Sequence, residues 1–259
     1  MLRPAPVSPA PDPTSRLRPH GRMAMVALAL AGAGLWLAAL PAAAAGEGPS
    51  FDCKAARSKP EKAICADPAL AALDRKMAAA YRKAMAGLDA SGKNALRADQ
   101  RLFLEARDIQ MTQAKPQDYD LKADMQSRVT LLEGIETAPR PGWAGTWSNA
   151  SGEIRIKPSP GGTFEVSIST VQPYPSYPVC DLTTAGRPEG AALVVGGSAT
   201  ERKVNDGWSI TLTRKGTVLD AELVRPPGEE SGSPPFCGFR ASIDGTFLPV
   251  TPAQAKRAP

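Results

Sequence analysis

The residues best suited to chemistry in this chain are four cysteines and a run of interleaved carboxylates and guanidiniums. Cys53 and Cys65 stand too far apart for a Cys-x-x-Cys redox pair, so a structural bond is the chemistry to expect of them. A straight helix between them would separate their Cα atoms by roughly 18 Å. A disulfide needs those atoms within about 7 Å. The chain must therefore fold back, and Lys59-Pro60 is the place for it. An even cysteine count in an exported chain reads as disulfides. The pairing expected is Cys53–Cys65 and Cys180–Cys237, because each bond then stays within one domain. The carboxylates are Asp99, Glu105 and Asp108, with Arg97, Arg101 and Arg107 among them. Paired carboxylates are a glycosidase arrangement, but charges alternating at this spacing predict a solvated ion-pair face. The single histidine, His20, lies in the amino-terminal segment. Without another, Ser-His-Asp and Cys-His sites and His-containing zinc sites are excluded. No catalytic residue, metal ligand or cofactor is assigned. Asn149-Ala150-Ser151 fits a glycosylation sequon and is read as a turn.

The elements that position these residues are marked in the sequence. Ser58 with Glu61 forms a capping box opening a short helix toward Cys65. Asp67 caps a second helix with Pro68 at its first position, where the missing N–H costs nothing. Leu70, Leu73, Met77, Tyr81, Ala84 and Leu88 recur at helical spacing. Asp89-Ala-Ser-Gly92 interrupts the pattern. A further helix runs from about Lys93 to Gln113, with Leu96, Phe103 and Leu104 inward. Lys115-Pro116 ends it. Another, from Asp118 to about Gly134, turns Leu121, Met125, Val129 and Leu132 to the core. The expected fold of residues 46–136 is a small three-helix bundle with a disulfide at its entrance.

The order F-D-C…S-K…E-K-x-I-C-x-D-P-x-L-A-x-L-D-R-x-M-A-x-A-Y, then L-R-x-D-Q-R-x-F-L-x-x-R-D, resembles the LprI-like lysozyme-inhibitor domain family of bacterial envelope proteins. The resemblance covers about Ser50 to Ile135. Family members usually carry a second cysteine pair after the Arg-Asp, whereas here Ile109-Gln110 follows Arg107-Asp108. The resemblance implies a partner, a lysozyme-type muramidase, blocked by occlusion of its cleft without any reaction.

Arg16, Arg18 and Arg22 precede an apolar run from Met23 to Leu40, and Ala43-Ala44-Ala45 offers a small-residue cleavage site. Residues 1–45 therefore read as a secretory signal peptide, with Met1 or Met23 as initiator. No cysteine stands at the cleavage site, so no lipid anchor is expected, and the destination is the periplasm or the exterior. Removing Arg3, Arg16, Arg18, Arg22 and Asp12 lowers the formal charge from +5 to +2. The remaining charges alternate and form no basic run, which argues against nucleic acid.

Residues 137–142 are Pro-rich and read as a linker. Beyond them the periodicity changes to alternation, in 152–157, 163–170, 208–213 and 219–223. A Gly-Thr pair precedes an apolar residue at Trp147, Phe164, Val218 and Phe247, each the exit of a turn into a strand. Seven or eight short strands over 143–249 predict an antiparallel barrel or sandwich, so the whole is α+β. Residues 250–259 are expected to be a disordered tail.

Two functions fit this layout. One is muramidase inhibition, with Asp118, Asp120 and Asp124 as an acidic patch for a basic partner. Tyr174 and Tyr177, in the loop from Gln172 to Pro178, would be anchors for such a partner. The other is a non-inhibitory envelope protein whose β-domain binds a small ligand or peptidoglycan. The exported protein should begin near Gly46 and carry no diacylglyceryl group. Intact-mass spectrometry checks both points, and a fragment retaining the apolar run would contradict them.

Overall fold

The computed structural model describes residues 48–113, 119–172, 178–229 and 232–252. Residues 1–45, read from the sequence as a signal peptide, lie outside them. A single 3-10 turn, Cys53–Ala55, begins the helical part, with Asp52 accepting from Lys54 N at 2.9 Å. Helix α1 (Lys59–Ala66) opens on the expected capping box. Ser58 Oγ accepts from Glu61 N, while the Glu61 carboxylate accepts from Ser58 N and Arg57 N. Helix α2 (Pro68–Gly87) starts on Asp67, which accepts from Ala69 N at 2.7 Å. Helices α3 (Ala90–Gln113) and α4 (Leu121–Gly134) complete the layer. Every expected inward residue is buried except Leu73, Tyr81 and Leu104, which are partly buried against the same core.

Eight antiparallel strands then form a closed up-and-down barrel: β1 (Gly145–Asn149), β2 (Gly152–Ser159), β3 (Thr163–Val171), β4 (Val179–Glu189), β5 (Ala192–Val195), β6 (Ser209–Lys215), β7 (Val218–Val224) and β8 (Gly245–Val250). Each pairs with the next, and β8 returns to β1. Closure removes the sheet edges that would otherwise invite another strand. The register places apolar partners opposite one another inside: Trp147 with Ile154, Ile156 with Val166, Leu193 with Leu212, Leu219 with Phe247. All eight are buried, so side chains fill the barrel. All four Gly-Thr pairs fall at strand entrances. Sequence alternation had not marked β4 or β5. The first carries Cys180, Asp181, Thr183, Thr184 and Gly186 in place of a clean apolar row. Helix α5 (Ala199–Val204) was also unmarked, although Ser198 and Glu201 form a capping box.

The barrel is not independent of the helices. Val218 and Leu248, which point outward from β7 and β8, belong to the helical core. Beyond α4, Ile135 bridges Val250 and Glu136 N donates to Pro249 O at 2.8 Å. Arg140 closes this junction. Its guanidinium grips the Glu136 carboxylate with two bonds at 2.8 Å and donates to Thr146 O and Val250 O. It also lies 4.9 Å from the centre of the Trp147 ring. The Glu136 carboxyl is held below the usual carboxylate range, chiefly by that arginine. Strand β8 extends through Val250, and Thr251 N donates to Gly134 O at 2.9 Å. Residues 253–259 lie outside the described residues.

The ion-pair face expected of α3 is solvated at Arg97, Arg101 and Glu105 but not throughout. Asp99 and Arg107 are buried, because α4 and the β1–β2 turn cover that side. Asp99 pairs with Arg128 of α4 at 2.6 Å and accepts from Ala150 N of the turn at 2.5 Å. Arg128 also donates to Gln100 Oε1 at 2.9 Å and lies 5.1 Å from the centre of the Phe103 ring. Removing one member of a buried pair leaves an uncompensated charge, a loss of about 3–5 kcal/mol, whereas an apolar replacement of both is often neutral. Asp99→Asn should therefore lose about that much in urea unfolding, and Asp99→Leu with Arg128→Met should recover most of it.

Candidate functional site

The helical entrance is fixed covalently. Cys53 and Cys65 are bonded with Cα atoms 5.8 Å apart, and Ile64 beside the bond is fully buried. The clasp therefore ties the first turn to the core through α1. Next to it a groove of about 310 Å³ is lined by Phe51, Glu61, Met77, Tyr81, Leu104 and Arg107, among others. Asp74, at its wall, is 5% exposed and accepts from Ser50 N at 2.6 Å. Arg107 donates twice to Asp108.

A larger cleft of about 500 Å³ lies between α3 and the barrel, within the span typical of ligand sites. Asn94, Asp99 and Leu102 come from α3, and Asn149 and Ser151 come from the β1–β2 turn. Gln172, Lys215, Asp220 and Ser242 to Phe247 form the opposite wall. Most of its polar groups are already engaged. Asn149 Oδ1 accepts from Ser151 N and Gly152 N, which makes the sequon a turn, as expected. Lys215 pairs with Asp220, whose other oxygen accepts from Thr246 Oγ1. Gln172 donates to Ser242 O at 2.6 Å. Asp244 accepts from Ser242 Oγ at 2.5 Å and from Leu223 N at 2.6 Å.

Asp89 sets how the helices sit on this cleft. Its carboxylate caps α3 through Gly92 N at 2.7 Å and accepts from Thr217 N and Thr217 Oγ1 on the β6–β7 turn. Gly216 in that turn has a φ of 62°, and the Asp89 carboxylate stands where a Cβ would be. The turn therefore needs glycine for both its conformation and its contact. In the sequence Asp89 read only as an interruption. Its capping position before a helix was the available signal, but its bond to Thr217 has none.

Of the predicted partner-binding residues, Asp120 and Asp124 sit on α4. Asp120 caps the helix through Ala123 N at 3.0 Å. Asp124 is half-buried and accepts from Tyr119 Oη at 2.7 Å. Burial pushes its carboxyl up despite that bond. Asp118, Tyr174 and Tyr177 lie outside the described residues. On the barrel, Cys180–Cys237 is the second disulfide, and no cysteine is free. Among the described residues no cluster of three or more His, Cys, Asp or Glu side chains is arranged to hold a metal ion.

Residues 53–137 match the family model described as Lysozyme inhibitor LprI, and the β-barrel part matches no family model. No curated protein and no solved structure matches the chain. The matched stretch covers the clasp, all four large-element helices α1 to α4 and the junction glutamate, so the resemblance read from the sequence stands.

The backbone bond from Gly92 holds the Asp89 carboxyl below its usual value, with Thr217 adding to the effect. A depressed carboxylate contributes stability above its unfolded value, near 3.8. That contribution is lost as pH falls through the lower folded value. In thermal melts taken from about pH 6 down to pH 2, Asp89→Asn should melt below the wild type at the upper end. The gap should narrow as the medium becomes more acid.

Proposed function

We propose that this protein is an exported inhibitor of a lysozyme-type muramidase, acting in the periplasm or outside the cell by occlusion and without catalysis. The observation that carries the reading is the match of residues 53–137 to the lysozyme-inhibitor family model. Physical features support it. Two disulfides suit an oxidising compartment. The recognised helices are held by a covalent clasp on one side and by a barrel on the other, and a surface ordered before binding loses less entropy on complex formation. The helical core takes Val218 and Leu248 from the barrel, so the inhibitory unit is the whole exported chain.

A second reading, an envelope protein that binds a small polar ligand or a peptidoglycan fragment, is favoured by the cleft between α3 and the barrel. The two separate by experiment. In a cell-wall lysis assay the exported chain should slow a lysozyme, whereas a ligand-binding protein would leave lysis unchanged and bind soluble peptidoglycan fragments.

Opening the clasp tests the role of the helical entrance. Replacing Cys53 and Cys65 by serine removes a bond worth about 3 kcal/mol for a loop of this size in the chain-entropy model. The barrel should stay folded, as reported by fluorescence of Trp147 and Trp208. Inhibition should weaken far more than the melting temperature falls. Undiminished inhibition by the serine variant would place the binding surface away from the clasp.

A further inference from the structure

Among the described residues, the exposed large apolar side chains are Val171, Val179, Val204 and Phe239. All but Val204 gather at one end of the barrel. Val171 and Val179 are cross-strand partners in the β3–β4 ladder and so share a face. Gly238 N donates to Val179 O at 2.8 Å, which sets Phe239 beside them. Single exposed apolar residues need no explanation, but a group of them does.

The segment Phe236–Ala241 is a tongue held firmly at its base. Cys237 is bonded to the fully buried Cys180, and Asp181 N donates to Phe236 O at 2.9 Å. Phe236 packs against the barrel core, and Ala241 N donates to Gly238 O at 2.9 Å. At the tip, Phe239 is 77% exposed. Arg240 holds a φ of 63°, a left-handed conformation that a side chain with a Cβ resists. Such a conformation persists only where its surroundings impose it. Here the disulfide and the backbone bonds do so. The Arg240 guanidinium lies 5.3 Å from the centre of the Phe239 ring and has no ion-pair partner among the described residues. Asp181, at the base of the tongue, is exposed as well.

We infer that this tongue is the element that enters the muramidase cleft, with Phe239 occupying a sugar subsite and Arg240 facing the catalytic carboxylates. The inference rests on the inhibitor reading above. Three observations converge on it. Aromatic and arginine side chains are the residues that most often dominate an interface. A retaining or inverting glycosidase presents two carboxylates beside the scissile bond, and a planar guanidinium suits a carboxylate better than an ammonium does. The tongue also continues the recognised helical surface. Val171 lines a depression of about 340 Å³ together with Phe103, Ala106 and Gln110 of α3. A partner resting on α3 therefore reaches the tongue.

The test uses the full exported chain, a lysozyme with a catalytic glutamate and aspartate, and two variants. Phe239→Ala removes the aromatic tip. Arg240→Gly removes the charge while relieving the left-handed strain, so it should not unfold the tongue. Each variant should keep the wild-type melting temperature while its inhibition constant rises about tenfold or more. Tri-N-acetylglucosamine, which fills a lysozyme cleft, should compete with the wild-type chain for binding. Inhibition by the wild type with equal inhibition by both variants would overturn the tongue and leave the inhibitor reading standing. Binding unaffected by the oligosaccharide would also overturn cleft insertion. A wild-type chain that binds no such lysozyme would overturn both.

Discussion

Asp99 is the constraint on which the arrangement of this molecule depends. One buried carboxylate holds Arg128 of α4 and the backbone of Ala150 in the β1–β2 turn at the same time. A charge taken out of water tolerates little displacement from its partners, because each ångström lost is lost at low dielectric. The spacing between α3, α4 and the first hairpin is thereby set by one group. Arg128 passes the constraint on to Gln100 and Phe103. Apolar packing around Met125 and Val129 would bring these helices together, but without directional bonds it would leave their register on the barrel loose.

The helical layer was legible because its signals are local. Capping at Ser58 and Asp67 and the apolar spacing of Leu70 to Leu132 depend on neighbours within a few turns, and the structure has them where the sequence puts them. The barrel was legible in outline. Glycine-threonine pairs mark four strand entrances whatever the strands later contact. Strand β4 was hidden because its inward positions include Cys180 and Gly186, and a Cβ at Gly186 would meet Val166 and Leu193. Its composition answers to close packing, which alternation does not report. Least legible were the bonds between the two parts. Asp89 and Thr217 are distant in sequence, and nothing near either names the other. Asp99 and Arg107 were read as solvated for the same reason, since the turn that covers them comes from another element.

The two parts divide the work of making a rigid surface. The matched helices supply most of the apolar face that a small bundle can offer, yet that face is incomplete without Val218 and Leu248. The barrel has an interior of its own and is closed on itself. It therefore serves as a stiff plate on which the helices rest. The family that the sequence resembles usually has a second cysteine pair after the Arg-Asp. In this chain the corresponding part of α3 is held by burial of Arg107 and by the contact with β1–β2, so noncovalent cover stands where a covalent tie would be.

Strand β8 has a consequence for the order of assembly. It is the last strand among the described residues, yet it pairs with β1, supplies Phe247 to the inside of the barrel and Leu248 to the helices, and ends on the bridge to Ile135. Contacts of such long sequence separation form slowly. As the chain emerges from one end to the other, neither core is complete until β8 is available. Until then the helices expose the apolar positions that β8 will cover, and the barrel presents two open edges. The clasp at Cys53–Cys65 can form early, because its whole loop emerges first. The chain thus emerges half-built, and the strand that arrives last closes both cores together.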